Sequence, residues 1–151
     1  MKTAFFYFES HDAVKLHDWI IANSGGLSGI NHLGQLESVL EHIQNDLYYP
    51  EIQDKLTHLV FAVNKFHVFV DGNKRSSIAL GAYFLELNGY DFVVQKFVLE
   101  MENIALWLAE GRISKEFLGE LIVSLIFEED FSEELKIKLA RAVMYDPRQD
   151  E

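Results

Sequence analysis

The segment His67–Arg75, HVFVDGNKR, places a histidine, a carboxylate, a glycine, an amide and two cations close together. These are the groups that handle a phosphate. An imidazole with a pKa of about 6.5 can take a proton from an attacking hydroxyl, which makes His67 a candidate base. A carboxylate combined with phosphate and water oxygens suits Mg²⁺, which makes Asp71 a candidate metal ligand. The segment therefore predicts a phosphate-handling site.

The second half of the segment is suited to holding an anion. Gly72 gives the backbone the freedom to turn its N–H groups inward as an anion nest. Asn73, Lys74 and Arg75 can hydrogen-bond to phosphate oxygens or neutralise them. Lys74 and Arg75 fall in the first turn of a predicted helix, where cations oppose the macrodipole, and this conflict indicates an anion nearby. Ordinary turn chemistry of Asp-Gly-Asn before a basic helix start is the competing interpretation.

Motifs that would give other chemistry are missing from the sequence. It has no P-loop G-x-x-x-x-G-K-[ST], no protein-kinase H-R-D and D-F-G pair, and no H-E-x-x-H. It has no cysteine, which excludes disulfides, thiol nucleophiles and Cys-zinc sites. The other histidines lack ligand-like spacing with a carboxylate, so we interpret them as core or surface residues: His11, His17, His32, His42 and His58.

Two predicted helices flank the segment and must position it. One begins after Pro50, and the other runs over about residues 74–87 and is closed by Asn88-Gly89. The same apolar periodicity predicts further helices, over residues 11–23, 33–43, 96–109, 115–127 and 133–144. Serines that we expect to be N-caps precede three of them: Ser10, Ser114 and Ser132.

The remaining segments predict little regular structure. Residues 4–8, AFFYF, predict a short strand or a buried tail, and residues 90–94 a short extended segment. The glycine-rich stretch 24–34 predicts a long flexible loop or a small hairpin. The domain is therefore expected to be mainly helical.

Composition limits the class of protein further. A chain of 151 residues corresponds to one domain, and its hydrophobic fraction of 49% excludes disorder of the whole chain. A formal net charge of -11 argues against a nucleic-acid binder, because such binding depends on neutralising phosphates. No apolar stretch approaches the roughly 20 residues of a membrane span, and the N-terminus lacks the features of a signal peptide. We therefore expect a cytoplasmic location without a membrane partner.

At these residues the chain resembles a known family. HVFVDGNKR is similar to the signature loop of the Fic/Doc (Fido) family, H-x-F-x-[DE]-[GA]-N-[GK]-R, and the Lys before Arg resembles the Doc (death-on-curing) branch. The resemblance covers roughly residues 8–125 and includes Leu16-His17-Asp18. It implies a mainly α fold, a compact helical Fido-type bundle with a small β-hairpin flap. We expect a Fic/Doc domain over residues 1–128 and a C-terminal helical extension over 129–151.

The resemblance also implies a role for each residue of the loop. His67 matches the catalytic base that activates a hydroxyl of a target protein, Asp71 the residue that binds Mg²⁺, and Phe69 a buried anchor. The remaining loop residues match positions that bind the phosphates of a nucleotide: Gly72, Asn73, Lys74 and Arg75. A flap would position the target segment by β-augmentation. Its residues here are Gly25, Gly26, Leu27, Ser28, Gly29, Ile30, Asn31 and His32.

The function implied is that of a Doc-like toxin. Such an enzyme transfers a phosphoryl group from ATP or another nucleoside triphosphate, with Mg²⁺, to a hydroxyl of a target protein. The implied target class is a Thr of translation elongation factor Tu, and the implied natural partner is an antitoxin protein.

Two alternatives stay open. AMP-transferring members of the family resemble H-P-F-x-x-G-N-G-R-x-x-R, and this chain departs from them at Val68, Lys74 and Ile78, which favours a kinase. Doc loops commonly carry Ala where this chain has Gly72, which leaves the branch less sharply defined. A non-catalytic module that binds a nucleotide or phosphate through the same loop is the alternative from another class of protein.

Overall fold

Seven helices and no strand make up residues 4–144, the part of the chain described by a computed structural model. They are α1 (Ser10–Ser24), α2 (Leu33–His42), α3 (Ile52–Lys65), α4 (Asn73–Leu87), α5 (Asp91–Ala109), α6 (Lys115–Phe127) and α7 (Glu133–Met144). The helical bundle predicted from the sequence is confirmed. None of these helices is both long enough and apolar enough to cross a membrane.

The centre of the bundle is the pair α3 and α4; both helices pack against α5, and α3 also packs against α6. Gly81 allows α4 to approach α3 and α5 closely. A Cβ built on Gly81 of α4 would lie 2.9 Å from Cζ of Phe97 in α5 and 3.1 Å from Cγ2 of Val60 in α3. Since both helices are fixed in the core, the loop that joins them has both of its ends held in place.

The helix starts test the predicted N-caps. Ser114 and Ser132 are confirmed, because their hydroxyls accept the N–H groups of Phe117 and Leu135, each at 3.1 Å. The prediction for Ser10 is wrong. Glu9 precedes α1 as its N-cap and forms a capping box with Asp12, whose carboxylate accepts the N–H of Glu9 at 3.0 Å. This reciprocal pair satisfies two backbone donors, so no serine is required.

Two short segments differ from expectation. The extended segment predicted for residues 90–94 is wrong, because α5 already begins at Asp91. Gly89 adopts a φ of 81°, which turns the chain tightly enough for the next helix to start two residues later. Residues 4–8 form a tail rather than a strand, and its Phe8 is buried. The tail is held where the side chain of Asn88 bonds to both backbone groups of Phe6, at 2.8 and 3.0 Å.

The last helix, α7, lies on the surface of the bundle. None of its residues is fully buried, and it packs through the partly buried side chains of Leu135, Leu139 and Ala142. The ammonium group of Lys138 lies 4.7 Å from the centre of the Phe117 ring in α6. The predicted division between a domain and a C-terminal extension stays a prediction, and residues 145–151 of that extension lie outside the described residues.

Candidate active site

The loop between α3 and α4 is anchored by two apolar residues. Val68 and Phe69 have no exposed surface, whereas His67 and Val70 on either side of them are exposed. The core therefore takes the middle of the segment and leaves its chemical groups near the surface. Phe69 lies where the sequence predicts a buried anchor.

Asn73 holds this loop from the first residue of α4. Its Oδ1 accepts the backbone N–H of Phe69 at 3.0 Å, and its Nδ2 donates to the carbonyl oxygen of the same residue at 2.9 Å. Both polar ends of the amide are thus used to fix the backbone four residues earlier. The side chain that the sequence predicts at a phosphate acts in the structure as a brace of the loop.

His17 of α1 contacts two residues of the loop, Phe69 and Asp71. Its side chain is buried, and its ring stacks on Phe69 with the two centroids 3.9 Å apart and an angle of 3° between the planes. Its Nε2 lies 2.7 Å from the backbone carbonyl oxygen of Asp71. The contact with the loop was not predicted from the sequence; the one available signal was the likeness of Leu16-His17-Asp18 to Doc-like sequences.

Asp71 is held by two backbone donors. Its Oδ2 accepts the N–H of Leu27 at 3.0 Å, and its Oδ1 accepts the N–H of Gly72 at 2.8 Å. These two bonds, that of Leu27 first, lower the pKa of Asp71 below its ordinary value, and the charges of Arg75 and His17 add to the effect. The carboxylate is therefore ionised at neutral pH, as a metal ligand must be.

Two glycines keep the space beside Asp71 clear. Gly26 has a φ of 116°, and a Cβ built on it would lie 2.7 Å from Oδ2 of Asp71 and 3.0 Å from Nη2 of Arg75. Gly72 is the N-cap of α4 in the left-handed conformation, with φ 76°, and its Cβ would lie 3.2 Å from the same Nη2. A side chain at Gly26 would enter the gap between the carboxylate and the guanidinium, and one at Gly72 would meet the guanidinium; both would also meet Cδ1 of Ile21, at 3.1 and 3.2 Å.

Arg75 is attached to the end of α1. Its Nη1 donates to the carbonyl oxygen of Gly25 at 2.9 Å and to the hydroxyl of Ser24. A cation is disfavoured in the first turn of α4 but favoured at the C-terminus of α1, where unpaired carbonyls concentrate negative charge. The macrodipole conflict at Arg75 is therefore offset within the protein and is not by itself a sign of a bound anion. Nη2 is left facing Gly26 and Gly72.

Lys74 and His67 face solvent at the two ends of the loop. Both side chains are exposed, and neither has a hydrogen-bond or ion-pair partner among residues 4–144. His67 has a φ of 50°, which non-glycine residues rarely adopt. Its carbonyl oxygen accepts the amide of Asn31 at 3.3 Å. The loop thus presents one free ammonium, that of Lys74, and one free imidazole, that of His67, to solvent.

The flap does not form the predicted hairpin. Of residues 25–32, only Ile30 makes a β-bridge, an antiparallel one with Phe69 in the loop. The pairing is extended by Asn31 N–H to the carbonyl oxygen of Val68 at 2.8 Å and by Val70 N–H to that of Gly29 at 3.1 Å. Three glycines of the flap have φ values between 87° and 118°, which a regular strand does not adopt: Gly25, Gly26 and Gly29.

The site has a limited set of metal ligands. Residues 4–144 contain no group of three or more acidic, histidine or cysteine side chains that could hold a metal ion. Asp71 therefore stands alone, and an ion bound there would take its other ligands from phosphates and water, as Mg²⁺ commonly does. The single ionised carboxylate and the cleared gap beside it fit a Mg²⁺ that arrives with a nucleotide.

Comparison with known proteins gives two matches. A sequence model of the Fic/DOC family matches residues 7–85, a range that contains α1, the flap, the loop and most of α4. The chain is 33% identical over 121 residues to protein kinase doc of Escherichia phage P1, and this alignment covers 77% of the chain and 92% of that protein. The similarity therefore includes the elements that support the loop as well as the loop itself.

Proposed function

This chain belongs to the Fic/DOC family, and we propose that it is a Doc-like toxin that transfers a phosphoryl group from a nucleoside triphosphate to a hydroxyl side chain of a target protein. Similarity over nearly the whole length of a relative named as a protein kinase supports a protein-modifying enzyme. The observation that carries the proposal is the gap between Asp71 and Arg75 that Gly26 and Gly72 keep clear. This gap would bring the proposed metal ligand, Asp71, and the proposed phosphate ligand, Arg75, together at the N-terminus of α4.

The nucleotide would bind at the start of α4. Gly72 has no side chain with which to cap the helix, so the first N–H groups of α4 are left for phosphate oxygens. Arg75 is already oriented by its bonds to the end of α1, which lowers the entropic cost of placing its Nη2 on a phosphate. The free ammonium of Lys74 adds charge stabilisation. Asp71 would hold a Mg²⁺ ion, which would supply neutralisation of phosphate charge.

The chemical step needs a base and an in-line approach of the hydroxyl oxygen to the γ-phosphorus. The target hydroxyl oxygen attacks the γ-phosphorus while the bond from this phosphorus to the β,γ-bridging oxygen breaks, and the nucleoside diphosphate leaves. His67 takes the proton of the hydroxyl on its imidazole, which is exposed and without another partner in residues 4–144. Catalysis of this kind rests mainly on positioning and on electrostatic stabilisation by fixed groups.

Transfer of the γ-phosphoryl group is favoured over AMP transfer by Lys74. AMP-transferring members of the family resemble each other in carrying Gly at this position, and a long cation there would change how a bound triphosphate lies in the nest. A Thr of elongation factor Tu is the proposed target, and the exposed edge of the flap is the proposed surface that aligns it. An antitoxin that covers the cleft is the proposed regulatory partner.

Labelled ATP tests the proposal directly. The purified protein is incubated with Mg²⁺, purified elongation factor Tu or cell extract, and ATP labelled at either the α or the γ phosphate, with His67→Ala as the control. We expect label from the γ position only, on a Thr, and none with the variant. Label from the α position only would replace the kinase by an AMP-transferase. A melting shift with ATP but no transfer would leave a binding module.

A further inference from the structure

We propose that His17 is a positioning residue that locks the peptide bond between Asp71 and Gly72 in one orientation. The inference rests on the proposed function, because the locked peptide lies at the proposed phosphate and metal site. His17 is 1% exposed, and its Nε2 lies 2.7 Å from the carbonyl oxygen of Asp71. Its ring lies flat on Phe69, 3.9 Å between centroids, so it cannot turn without breaking the stack.

The lock follows from peptide geometry. In a trans peptide the C=O and N–H groups point in opposite directions, and residues 4–144 contain no cis bond. When the carbonyl of Asp71 is held toward His17, the N–H of Gly72 must point away from it. There this N–H donates to Oδ1 of Asp71 at 2.8 Å. One buried imidazole therefore sets the direction of a backbone donor and, through that donor, of the carboxylate.

A lock is needed because the residue after the peptide is glycine. Gly72 sits at φ 76° and ψ 22°, and glycine occupies either sign of φ at little cost. Without a partner for its carbonyl, the peptide between Asp71 and Gly72 would rotate readily and turn its N–H out of the site. Phe69, on which the ring of His17 stacks, is itself held in place, because the side chain of Asn73 bonds to its backbone. The constraint therefore passes from the core of α1 to the first turn of α4.

The proposal fixes the protonation of the ring. Nε2 must carry a hydrogen to bond to the carbonyl of Asp71, so His17 is either the neutral Nε2–H tautomer or the imidazolium. Long-range ¹H–¹⁵N correlation on the unmodified protein reports this directly. We expect a protonated and slowly exchanging Nε2. A neutral ring with its hydrogen on Nδ1 alone would overturn the proposal without any substitution.

A pair of variants separates the hydrogen bond from the packing. His17→Gln keeps a donor of similar reach and loses the ring, whereas His17→Phe keeps an aromatic ring for the stack on Phe69 and loses the donor. The readouts are the ¹⁵N and ¹H shifts of the Gly72 amide without nucleotide, and the Kd for a non-hydrolysable ATP analogue with Mg²⁺. We expect His17→Phe to move the Gly72 amide and weaken nucleotide binding about tenfold, the usual effect of one lost bond. His17→Gln should restore most of both.

The outcomes distinguish this proposal from the proposed function. If the unmodified protein binds no nucleotide, the function fails, yet the Gly72 amide still tests the lock. If His17→Phe leaves the Gly72 amide and the Kd unchanged, or if His17→Gln behaves no better than His17→Phe, the lock is wrong and His17 only fills the core. Should His17→Phe fail to fold, the protonation of Nε2 and the Gly72 shift in His17→Gln decide the matter.

Discussion

The guanidinium of Arg75 donates to the carbonyl oxygen of Gly25 at 2.9 Å, so the basic first turn of α4 is joined to the end of α1. The same nitrogen bonds to the hydroxyl of Ser24. Helix dipoles explain the arrangement, since the negative end of α1 offsets the positive end of α4 around this charge. A planar guanidinium can make these bonds on one nitrogen and still direct the other into the site.

Replacing Arg75 by Lys should separate charge from geometry. An ammonium is a point donor, and it cannot hold the carbonyl of Gly25 and also present a second N–H to a phosphate in the same fixed plane. We expect Arg75→Lys to weaken binding of the Mg²⁺-nucleotide about tenfold and to change the melting temperature little. Calorimetric titration and thermal unfolding measure the two effects. Arg141→Lys on exposed α7 is the control, and equal affinities in both variants would contradict the prediction.

Ala substitutions at Gly25 and Gly26 test whether nucleotide binds in the gap beside Asp71. Gly25 and Gly26 both have positive φ, so Ala is strained at either position, but only at Gly26 does a Cβ meet Asp71 and Arg75. No atom lies within 4 Å of a Cβ built on Gly25. We expect both variants to lose stability through backbone strain, Gly26→Ala to lose more because its Cβ also crowds Asp71, and only Gly26→Ala to lose binding of Mg²⁺ and nucleotide. Comparable nucleotide affinities for the two variants would show that the gap is not the binding site.

We expect His67 to be needed for activity while its backbone conformation lowers the stability of the fold. Its φ of 50° costs a residue with a Cβ about 1 kcal/mol that glycine does not incur. We expect His67→Ala and His67→Gly both to abolish transfer, and His67→Gly to be the more stable of the two by roughly that amount. Denaturant unfolding measures the difference. Residual transfer in either variant near the rate of the unmodified protein would remove His67 from the base role, whichever variant is more stable.

The sequence predicted the helices well because their apolar residues recur at helical spacing, and the structure confirms the bundle. Starts and ends were predicted less well. Glu9 caps α1 although glutamate is not a preferred N-cap residue, because Asp12 completes the box. The early start of α5 depends on the turn that Gly89 makes, and helical periodicity alone does not show where such a turn ends.

The position of the proposed site in the chain could be predicted from the sequence, but the contacts within the site could not. The types and spacing of residues 67–75 point to the loop, since the groups proposed for the chemistry lie in one segment. The support from His17 and from Gly25 comes from the middle and the C-terminal end of α1, 54 and 50 positions from the residues that they contact, and no local pattern encodes it. The flap was predicted to pair with itself because glycines suit a turn. It pairs instead with the loop, through the carbonyl oxygen of Val68 and the N–H of Val70 on either side of Phe69.

A buried histidine outside the loop, His58, predicts a pH dependence of stability. Nδ1 of His58 in α3 lies 2.9 Å from Nζ of Lys115 in α6, so the ring accepts a hydrogen bond and is neutral. Burial, followed by the charges of Lys115 and His42, lowers the pKa of His58 to about 4. In the unfolded chain the same ring titrates near 6.5. Between these values the unfolded chain binds a proton that the folded protein does not.

The free energy of unfolding should therefore fall as the pH drops from about 6.5 to about 4, and this contribution of His58 is fully present only above 6.5. Allowing for solvent screening, we expect a loss of about 2 kcal/mol. Carboxylates titrate in the lower part of this range, so the measurement is the difference between the unmodified protein and His58→Gln, whose amide oxygen still accepts from Lys115. Denaturant unfolding at several pH values should give a flatter profile for the variant. Parallel profiles would mean that His58 is protonated as readily in the folded protein as in the unfolded chain.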